Sequence, residues 1–181
     1  PLGSFLIQGG KCRGCKSKIS IQYPLVEMII GFLFAIIFLK YQDLFWSNTF
    51  NFSILLAYYA TLFSLLIVIS VYDMRHKIIP DLMSLIFGII AFIGIFIFSD
   101  GILNFHIPTL YTFFSGPLLA LPFAFLWFVS RGTWMGFGDA KLALGLGWML
   151  GISQGFSAVV MSFWIGGFVS VLLLIFSKKY G

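Results

Sequence analysis

Charged residues are scarce in this 181-residue chain: 9% of the residues are charged, whereas 60% are hydrophobic. A soluble domain of this composition would expose large apolar patches and aggregate, so the composition excludes an ordinary soluble protein. The charged residues that give the net charge of +5 lie between the apolar runs. This placement indicates that they set the membrane topology rather than bind nucleic acid. We therefore predict an all-α polytopic transmembrane helical bundle in contact with the lipid bilayer, with no nucleic-acid partner.

Several chemical motifs are also missing. The sequence contains no phosphate-binding loop, no Ser-His-Asp set, no internal repeat and no low-complexity tract. Cysteine occurs twice, as Cys12 and Cys15 in a Cys-x-x-Cys motif. Such a motif supplies half of a tetrahedral zinc site or a redox pair, and no second cysteine pair completes the zinc site here. Both interpretations, a zinc half-site and two free thiols, remain open at this point.

Apolar runs predict the membrane helices, since one span needs roughly 20 apolar residues. Pro117 and Pro122 predict a kink or break in the fourth helix. Ala143, Gly147 and Gly151 recur every four residues, which predicts a packing face on the short, re-entrant or tilted fifth segment. The six predicted helices cover residues 24–39, 52–72, 82–98, 109–129, 142–152 and 156–176.

The basic residues orient these helices. If the Cys-x-x-Cys end is cytoplasmic and all six helices cross, ten of the 11 lysines and arginines are cytoplasmic and only Lys40 is outside. The pattern predicts a short cytoplasmic segment at 1–23, a transmembrane domain at 24–181, and a reducing environment for the cysteines. The ten predicted cytoplasmic residues are Lys11, Arg13, Lys16, Lys18, Arg75, Lys77, Arg131, Lys141, Lys178 and Lys179.

The chain has six carboxylates, and two of them share one predicted membrane depth. Asp73 ends the second predicted span and Asp139 opens the fifth, so both are placed at the cytoplasmic surface. An acid at a membrane boundary in so apolar a chain suggests a function. Asp139 follows Gly136 and Gly138, which permit close backbone approach. The other acids are Asp43 and Asp100 in outer loops, Asp81 as a predicted cap of the third helix, and Glu27.

Two aspartates at one depth suggest a specific chemistry. If they approach within a few ångströms, they share a proton and titrate as a coupled pair, which is aspartic-protease chemistry. Two simpler interpretations remain open. Asp139 would be only a helix N-cap, and Asp73 would be only the partner of Arg75 or Lys77.

The motifs around these acids resemble a known family. Tyr72-Asp73-Met74-Arg75 with Ile79-Pro80-Asp81, and Gly136-Phe137-Gly138-Asp139-Ala140-Lys141-Leu142, look like the two signatures of the type IV prepilin peptidases. These are bacterial membrane aspartic proteases of the GxGD class. The segment from Gly10 to Glu27 is similar to the family's entry into its second membrane helix, so the resemblance covers essentially the whole chain.

The resemblance implies a function for this chain. It implies cleavage of the short basic leader of type IV prepilins or type II secretion pseudopilins, at the cytoplasmic face of the bacterial inner membrane and without a cofactor. Asp73 and Asp139 would be the catalytic pair. The other residues implied or suggested are Gly136, Gly138, Arg75 and Lys141 as motif support, and Glu27 and Asp81 as acids that bind the leader.

The chain departs from the bifunctional members of the family. Those members carry an earlier membrane helix, a first Cys-x-x-Cys and a methyltransferase activity that uses S-adenosylmethionine. The resemblance predicts that a further N-terminal portion precedes Pro1 and completes a zinc site with Cys12 and Cys15. Residues 1–23 would then be the remnant of a zinc and methyltransferase region, and we expect no methyltransferase activity from these 181 residues alone.

Two alternatives use the same aspartates. One is another GxGD intramembrane protease of the presenilin kind, but the Pro-Ala-Leu motif of those proteins does not follow Asp139. The other is a proton-coupled transporter, which would place its acids nearer the midplane of the spans. Both aspartates lie at predicted span ends, which favours the prepilin peptidase.

Overall fold

The computed structural model describes residues 2–99 and 102–176 and confirms the all-α membrane class. Four of its helices, α2, α4, α6 and α7 below, are long and apolar enough to cross a membrane, and α5 is a shorter apolar helix. The elements are α1 (Leu2–Ile7), α2 (Gln22–Lys40), α3 (Gln42–Ser47), α4 (Thr49–His76), α5 (Asp81–Ile97), β1 (Phe98–Ser99), β2 (Ile102–Leu103), α6 (Leu110–Ser130) and α7 (Phe137–Phe176). The predicted outer-loop acid Asp100 and the predicted cytoplasmic Lys178 and Lys179 lie outside the described residues.

Each predicted span coincides, to within one residue at the ends of the third and fourth, with part or all of an apolar helix: α2, α4, α5, α6 or α7. The fifth and sixth both lie in α7, which is interrupted at Gly151. α7 begins at Phe137, five residues before the predicted start, so Asp139 lies inside its first turn. The short helices α1 and α3 and the two-residue strands were not predicted, because they carry no long apolar run.

The chain forms two compact units. The first comprises residues 2–71 with 102–103, and contains α1, α2, α3 and most of α4. Within it, α2 and α4 line a common narrow cleft that includes Ile37 and Ile67. The Tyr41 ring stacks on Tyr59 at 5.9 Å between ring centroids, and its hydroxyl donates a hydrogen bond to the Tyr59 oxygen. This unit therefore contains the Cys-x-x-Cys segment but neither candidate catalytic aspartate.

The second unit, residues 72–99 and 104–176, packs α5 and α6 against α7 through small residues. A Cβ atom on Gly145 would lie 2.6 Å from the Phe87 ring of α5. A Cβ atom on Gly147 would lie 2.6 Å from the Gly116 Cα of α6. Because neither contact leaves room for a side chain, α7 approaches both neighbouring helices closely, as small residues allow in membrane bundles.

Helix α6 runs unbroken through both of its prolines, so of the predicted kink or break the break is wrong. Pro117 has no N–H to donate to the Phe113 carbonyl, four residues earlier. That carbonyl instead accepts a hydrogen bond of 2.9 Å from the Trp148 indole N–H of α7. At the opposite end of α6, the Trp127 and Phe137 rings lie 4.8 Å apart. The first arm of α7 (137–150) is therefore antiparallel to α6.

Gly151 reverses the chain. Its φ of 76° and ψ of 169° belong to a region that is essentially restricted to glycine. Before it, Trp148 lies beside Phe113, whereas after it Gly155 lies against Leu119, further along α6. The second arm of α7 (152–176) thus turns back, and the two arms correspond to the fifth and sixth predicted segments. A Cβ atom added to Gly151 would meet no atom within 4 Å, so the prediction that this residue belongs to a close packing face is wrong.

Candidate active site

Asp73 and Asp139 come together at one end of the second unit. Asp73 lies in the last turn of α4, which ends where the Lys77 N–H donates a 2.7 Å hydrogen bond to the Asp73 carbonyl. Asp139 lies in the first turn of α7. Both residues are half-buried, and their carboxylates are close enough to interact electrostatically. Two acids 66 positions apart (139 − 73) therefore form one acidic pair at the ends of two helices.

A glycine contact holds the two acidic segments against each other. A Cβ atom on Gly138 would lie 2.8 Å from the Ile79 Cβ, so only glycine allows α7 to approach the 77–80 connection this closely. Ile79 was recognised in the sequence only as part of a motif, and no contact was predicted for it, since one isoleucine in an apolar chain does not indicate its partner. Gly136 differs, because a Cβ atom there would meet nothing nearer than 3.9 Å. Its φ is not positive, so its conformational freedom is not used.

Lys141 and Asp81 form a second link between the same segments. The Lys141 Nζ lies 2.6 Å from the Asp81 Oδ1, and it also lies 5.4 Å from the centroid of the Phe137 ring. The expectation that Asp81 caps the third predicted helix is wrong. The N-cap of α5 is Pro80, and Asp81 is the first helical residue, with its carboxylate engaged by Lys141.

The basic residues at the end of α4 do not engage Asp73. Arg75 and Lys77 are exposed, and within 2–99 and 102–176 neither forms an ion pair with that carboxylate. The simpler interpretation of Asp73 as their partner is therefore wrong. His76 is exposed and packs on the Tyr72 ring at 4.4 Å between centroids.

Glu27 lies in the first unit. It is half-buried in the second turn of α2 and lines a cavity of about 430 Å³ together with residues of α1, among them Phe5. Ile19 and Tyr23 complete its apolar side. The structure thus places the two acids suggested for leader binding in different units, with Asp81 in the second.

The Cys-x-x-Cys segment forms a tight turn in the first unit. The Cys12 N–H donates to the Ser17 carbonyl at 2.9 Å, and the Lys16 N–H donates to the Cys12 carbonyl at 3.0 Å. The Cys15 Sγ lies 3.0 Å from the Ser17 hydroxyl, and this hydrogen bond is the largest cause that lowers the Cys15 pKa to about 7. Thiolate is the form that binds metal, so the donor chemistry fits half of a zinc site. The described residues contain no group of three or more metal-binding side chains.

Ser17→Ala is expected to slow alkylation of Cys15 at pH 7. A thiol whose pKa is about 7 is half ionised at that pH, and loss of the Ser17 hydroxyl moves the pKa up toward 9.0. Because the thiolate is the reacting species, the rate of reaction with iodoacetamide should fall about fivefold. Fragment-resolved mass spectrometry separates Cys15 from Cys12. Ser20→Ala, which loses only a bond from the Gln22 N–H, is the control.

The same rates measured at pH 10 provide the second check on Ser17. Both proteins then carry mainly thiolate, so their rates should converge. Equal rates at pH 7 would show that the Ser17 hydroxyl does not set the Cys15 pKa.

The fold and this site together define a class of protein. It is a multi-pass helical membrane protein in which two helix ends present a pair of aspartates, joined by a glycine contact and an ion pair.

Comparison with known proteins gives the family. The model of the type IV leader peptidase family matches residues 60–171, a stretch that contains both aspartates. The model of the bacterial peptidase A24 N-terminal domain matches residues 1–41. The chain belongs to the type IV leader peptidase family.

Individual relatives agree with this placement. The chain is 34% identical over 155 residues to a prepilin leader peptidase/N-methyltransferase of Neisseria gonorrhoeae, covering 84% of this chain and 50% of that protein. It is 30% identical over 169 residues to the Bacillus subtilis protein of the same name, covering 92% and 60%. The chain thus spans about half the length of the curated relatives it matches. No solved structure matches it.

Proposed function

We propose that this chain carries the peptidase centre of a membrane aspartic endopeptidase. The enzyme removes the short basic leader from type IV prepilins or from type II secretion pseudopilins. The names of the relatives and the family match support prepilin processing. The observation that carries the proposal is that Asp73 and Asp139 lie at two helix ends held together by the Gly138–Ile79 contact, near enough for their carboxylates to interact electrostatically.

The two carboxylates divide the proton transfers between them. The ionised carboxylate takes a proton from a water molecule, and the oxygen of that water attacks the scissile carbonyl carbon. The protonated carboxyl of the other aspartate donates its proton to the carbonyl oxygen. When the tetrahedral intermediate collapses, the C–N bond breaks and the leaving amine takes the proton that the first aspartate had taken from water, while a hydroxyl of the intermediate returns a proton to the second aspartate as the carbonyl re-forms. The cycle consumes one water molecule and needs no metal or cofactor.

The position of the pair argues against a proton-coupled transporter. Transport sites that move protons lie within the span, where an acid can be exposed alternately to the two sides. Asp73 is in the last turn of a 28-residue helix and Asp139 is in the first turn of α7, so both occupy helix ends. A leader that stays outside the hydrocarbon region can reach such a position.

The basic residues support a cytoplasmic position for the pair. Arg75 and Lys77 follow Asp73 within four residues, and Lys141 follows Asp139 within one turn. Under the positive-inside rule, this end of the second unit lies on the cytoplasmic side of the bacterial inner membrane. We propose that acidic side chains attract the basic leader, with the exposed Asp81 of the second unit and the half-buried Glu27 of the first as candidates.

We also propose that Cys12 and Cys15 supply two ligands of a structural zinc site. The remaining ligands would come from outside the part of the chain that the structure describes. Zinc would fix the turn from Cys12 to Ser17 and has no part in the peptidase step. S-adenosylmethionine is expected only in a full-length bifunctional form.

The test is leader hydrolysis by the protein in liposomes with a matched prepilin, in water enriched in ¹⁸O. We expect a leader fragment whose new C-terminal carboxyl carries ¹⁸O, because the attacking oxygen comes from water. Mass spectrometry of both products locates the cut. Failure of the wild-type protein to cut both a prepilin and a pseudopilin, under conditions in which it remains folded, would reject the proposal.

A further inference from the structure

The Lys141–Asp81 ion pair joins the two segments that carry the aspartates. Asp81 is the first residue of α5, directly after the 77–80 connection that follows Asp73. Lys141 lies two positions after Asp139 on α7. At 2.6 Å, the contact bridges 60 positions of sequence and lies in the second unit beside the acidic pair.

This ion pair contributes little to global stability. The Asp81 side chain is 75% exposed and the Lys141 side chain is 37% exposed. Ion pairs this open to solvent contribute little, because solvent screens them and two side chains must be ordered to form them. The burial of α5 and α6 against α7 holds the unit together without it. Its effect must therefore be local.

The pair is one of two links across the same boundary. The first is the contact of Gly138 with Ile79, which sets how closely α7 approaches the 77–80 connection. One contact point fixes a distance but still allows the segments to rotate about it. The ion pair adds a second point, one turn further along α7. Two points restrict both the distance and the angle between the segments.

We propose that Lys141 and Asp81 are positioning residues whose ion pair fixes the 77–80 connection on α7 and so holds Asp73 opposite Asp139. This inference rests on the proposed function, because it concerns the geometry of the same centre. It also changes the expectation for Asp81. A carboxylate engaged by Lys141 is already neutralised, so the first effect of its loss is on the aspartates rather than on leader binding.

The two interpretations of Asp81 predict different kinetics. A positioning residue affects the chemical step, so its loss lowers kcat with little change in KM. A leader-binding acid contributes to uniform binding, so its loss raises KM with kcat unchanged. The pair also predicts coupling with Lys141, since breaking one ion pair from either side removes the same link.

The experiment is a double-mutant cycle with Asp81→Asn and Lys141→Gln, measured as leader cleavage in liposomes. We expect each single variant to lower kcat about tenfold with KM within about twofold, since small misplacements of reacting groups cost this much or more. The double variant should be no worse than either single one. Lys141→Arg, which can keep the ion pair, should retain most of the activity. Asp43→Asn, an exposed acid at the start of α3, is the control that should leave cleavage unchanged.

A second readout does not depend on cleavage. Spin labels on Met74→Cys and Trp134→Cys, both exposed positions, report the spacing of the two segments in a background with both native cysteines changed to serine. We expect a broader distance distribution in each single variant and a return to the wild-type width with Lys141→Arg. An unchanged distribution, additive losses in the double variant, or a rise in KM at constant kcat for Asp81→Asn would overturn the proposal. If the wild-type protein cuts no prepilin, the proposed function fails while the distance measurement still decides the positioning.

Discussion

Asp73→Asn and Asp139→Asn should each lower leader cleavage at least about a thousandfold. An amide cannot accept a proton from water or donate one to the carbonyl as a carboxyl can, and positioned acid–base groups contribute roughly 10²–10⁴-fold. Both residues act in one step, so the double variant should be no slower than either single one. The measurement is initial-rate cleavage in liposomes, with Asp43→Asn as the matched control outside the acidic pair.

The fold should survive both substitutions. Asparagine has nearly the shape of aspartate, and a first-turn acid such as Asp139 gains only about 0.3–1 kcal/mol from the helix dipole. Size-exclusion profiles and thermal unfolding of each variant should match those of the wild type closely. If one variant is folded and cuts near the wild-type rate, that aspartate is only a helix-end residue and the two-aspartate mechanism is wrong.

Gly138→Ala should lower kcat strongly, whereas Gly136→Ala should be nearly silent. The added methyl group on residue 138 would lie 2.8 Å from the Ile79 Cβ, a contact that cannot be relieved by rotating a side chain. The 77–80 connection must then move away from α7, and Asp73 moves with it. We expect a fall in kcat of about 10- to 100-fold, as for a misplacement on the order of 1 Å, together with a loss of about 1–3 kcal/mol of stability from overpacking.

The comparison between the two glycines makes this prediction specific. A methyl group on residue 136 would meet nothing nearer than 3.9 Å. The cleavage rate of the Gly136→Ala variant should therefore stay within about twofold of the wild-type rate. Gly88→Ala is a further control, because Gly88 is buried in α5 and has no neighbour within 4 Å of an added Cβ. Equal losses for Gly136→Ala and Gly138→Ala would show that the Ile79 contact does not set the geometry of the site.

Much of the fold could be predicted from the apolar runs of the sequence. In a bilayer every backbone polar group must be satisfied internally, so a long apolar run has one outcome, a helix. The spans at 24–39, 52–72, 82–98 and 109–129 therefore appear close to their predicted bounds as α2, α4, α5 and α6. The acids Asp73 and Asp139 were identified because carboxylates are so rare in this chain.

Two predictions failed because they were drawn from local patterns. The prolines of α6 predicted a kink or break, but the helix is continuous, and Trp148 of another helix donates a hydrogen bond to the carbonyl that Pro117 leaves free. The period of four predicted Gly151 on a packing face, but the residue reverses the chain instead. In both cases a distant part of the chain, or a single pair of dihedral angles, decided what a local pattern could not.

The sequence by itself therefore determined the membrane class, the helices and the two candidate acids, because hydrophobic runs and rare carboxylates can be located without knowing which residues meet. The tertiary structure decided which residues meet. Contacts such as Gly138 with Ile79, and Lys141 with Asp81, depend on how each helix is rotated about its axis and where it crosses its neighbour. That rotation is set by the packing of whole helix faces, so no single motif contains it. The proposed chemistry depends on that packing as much as on the two aspartates.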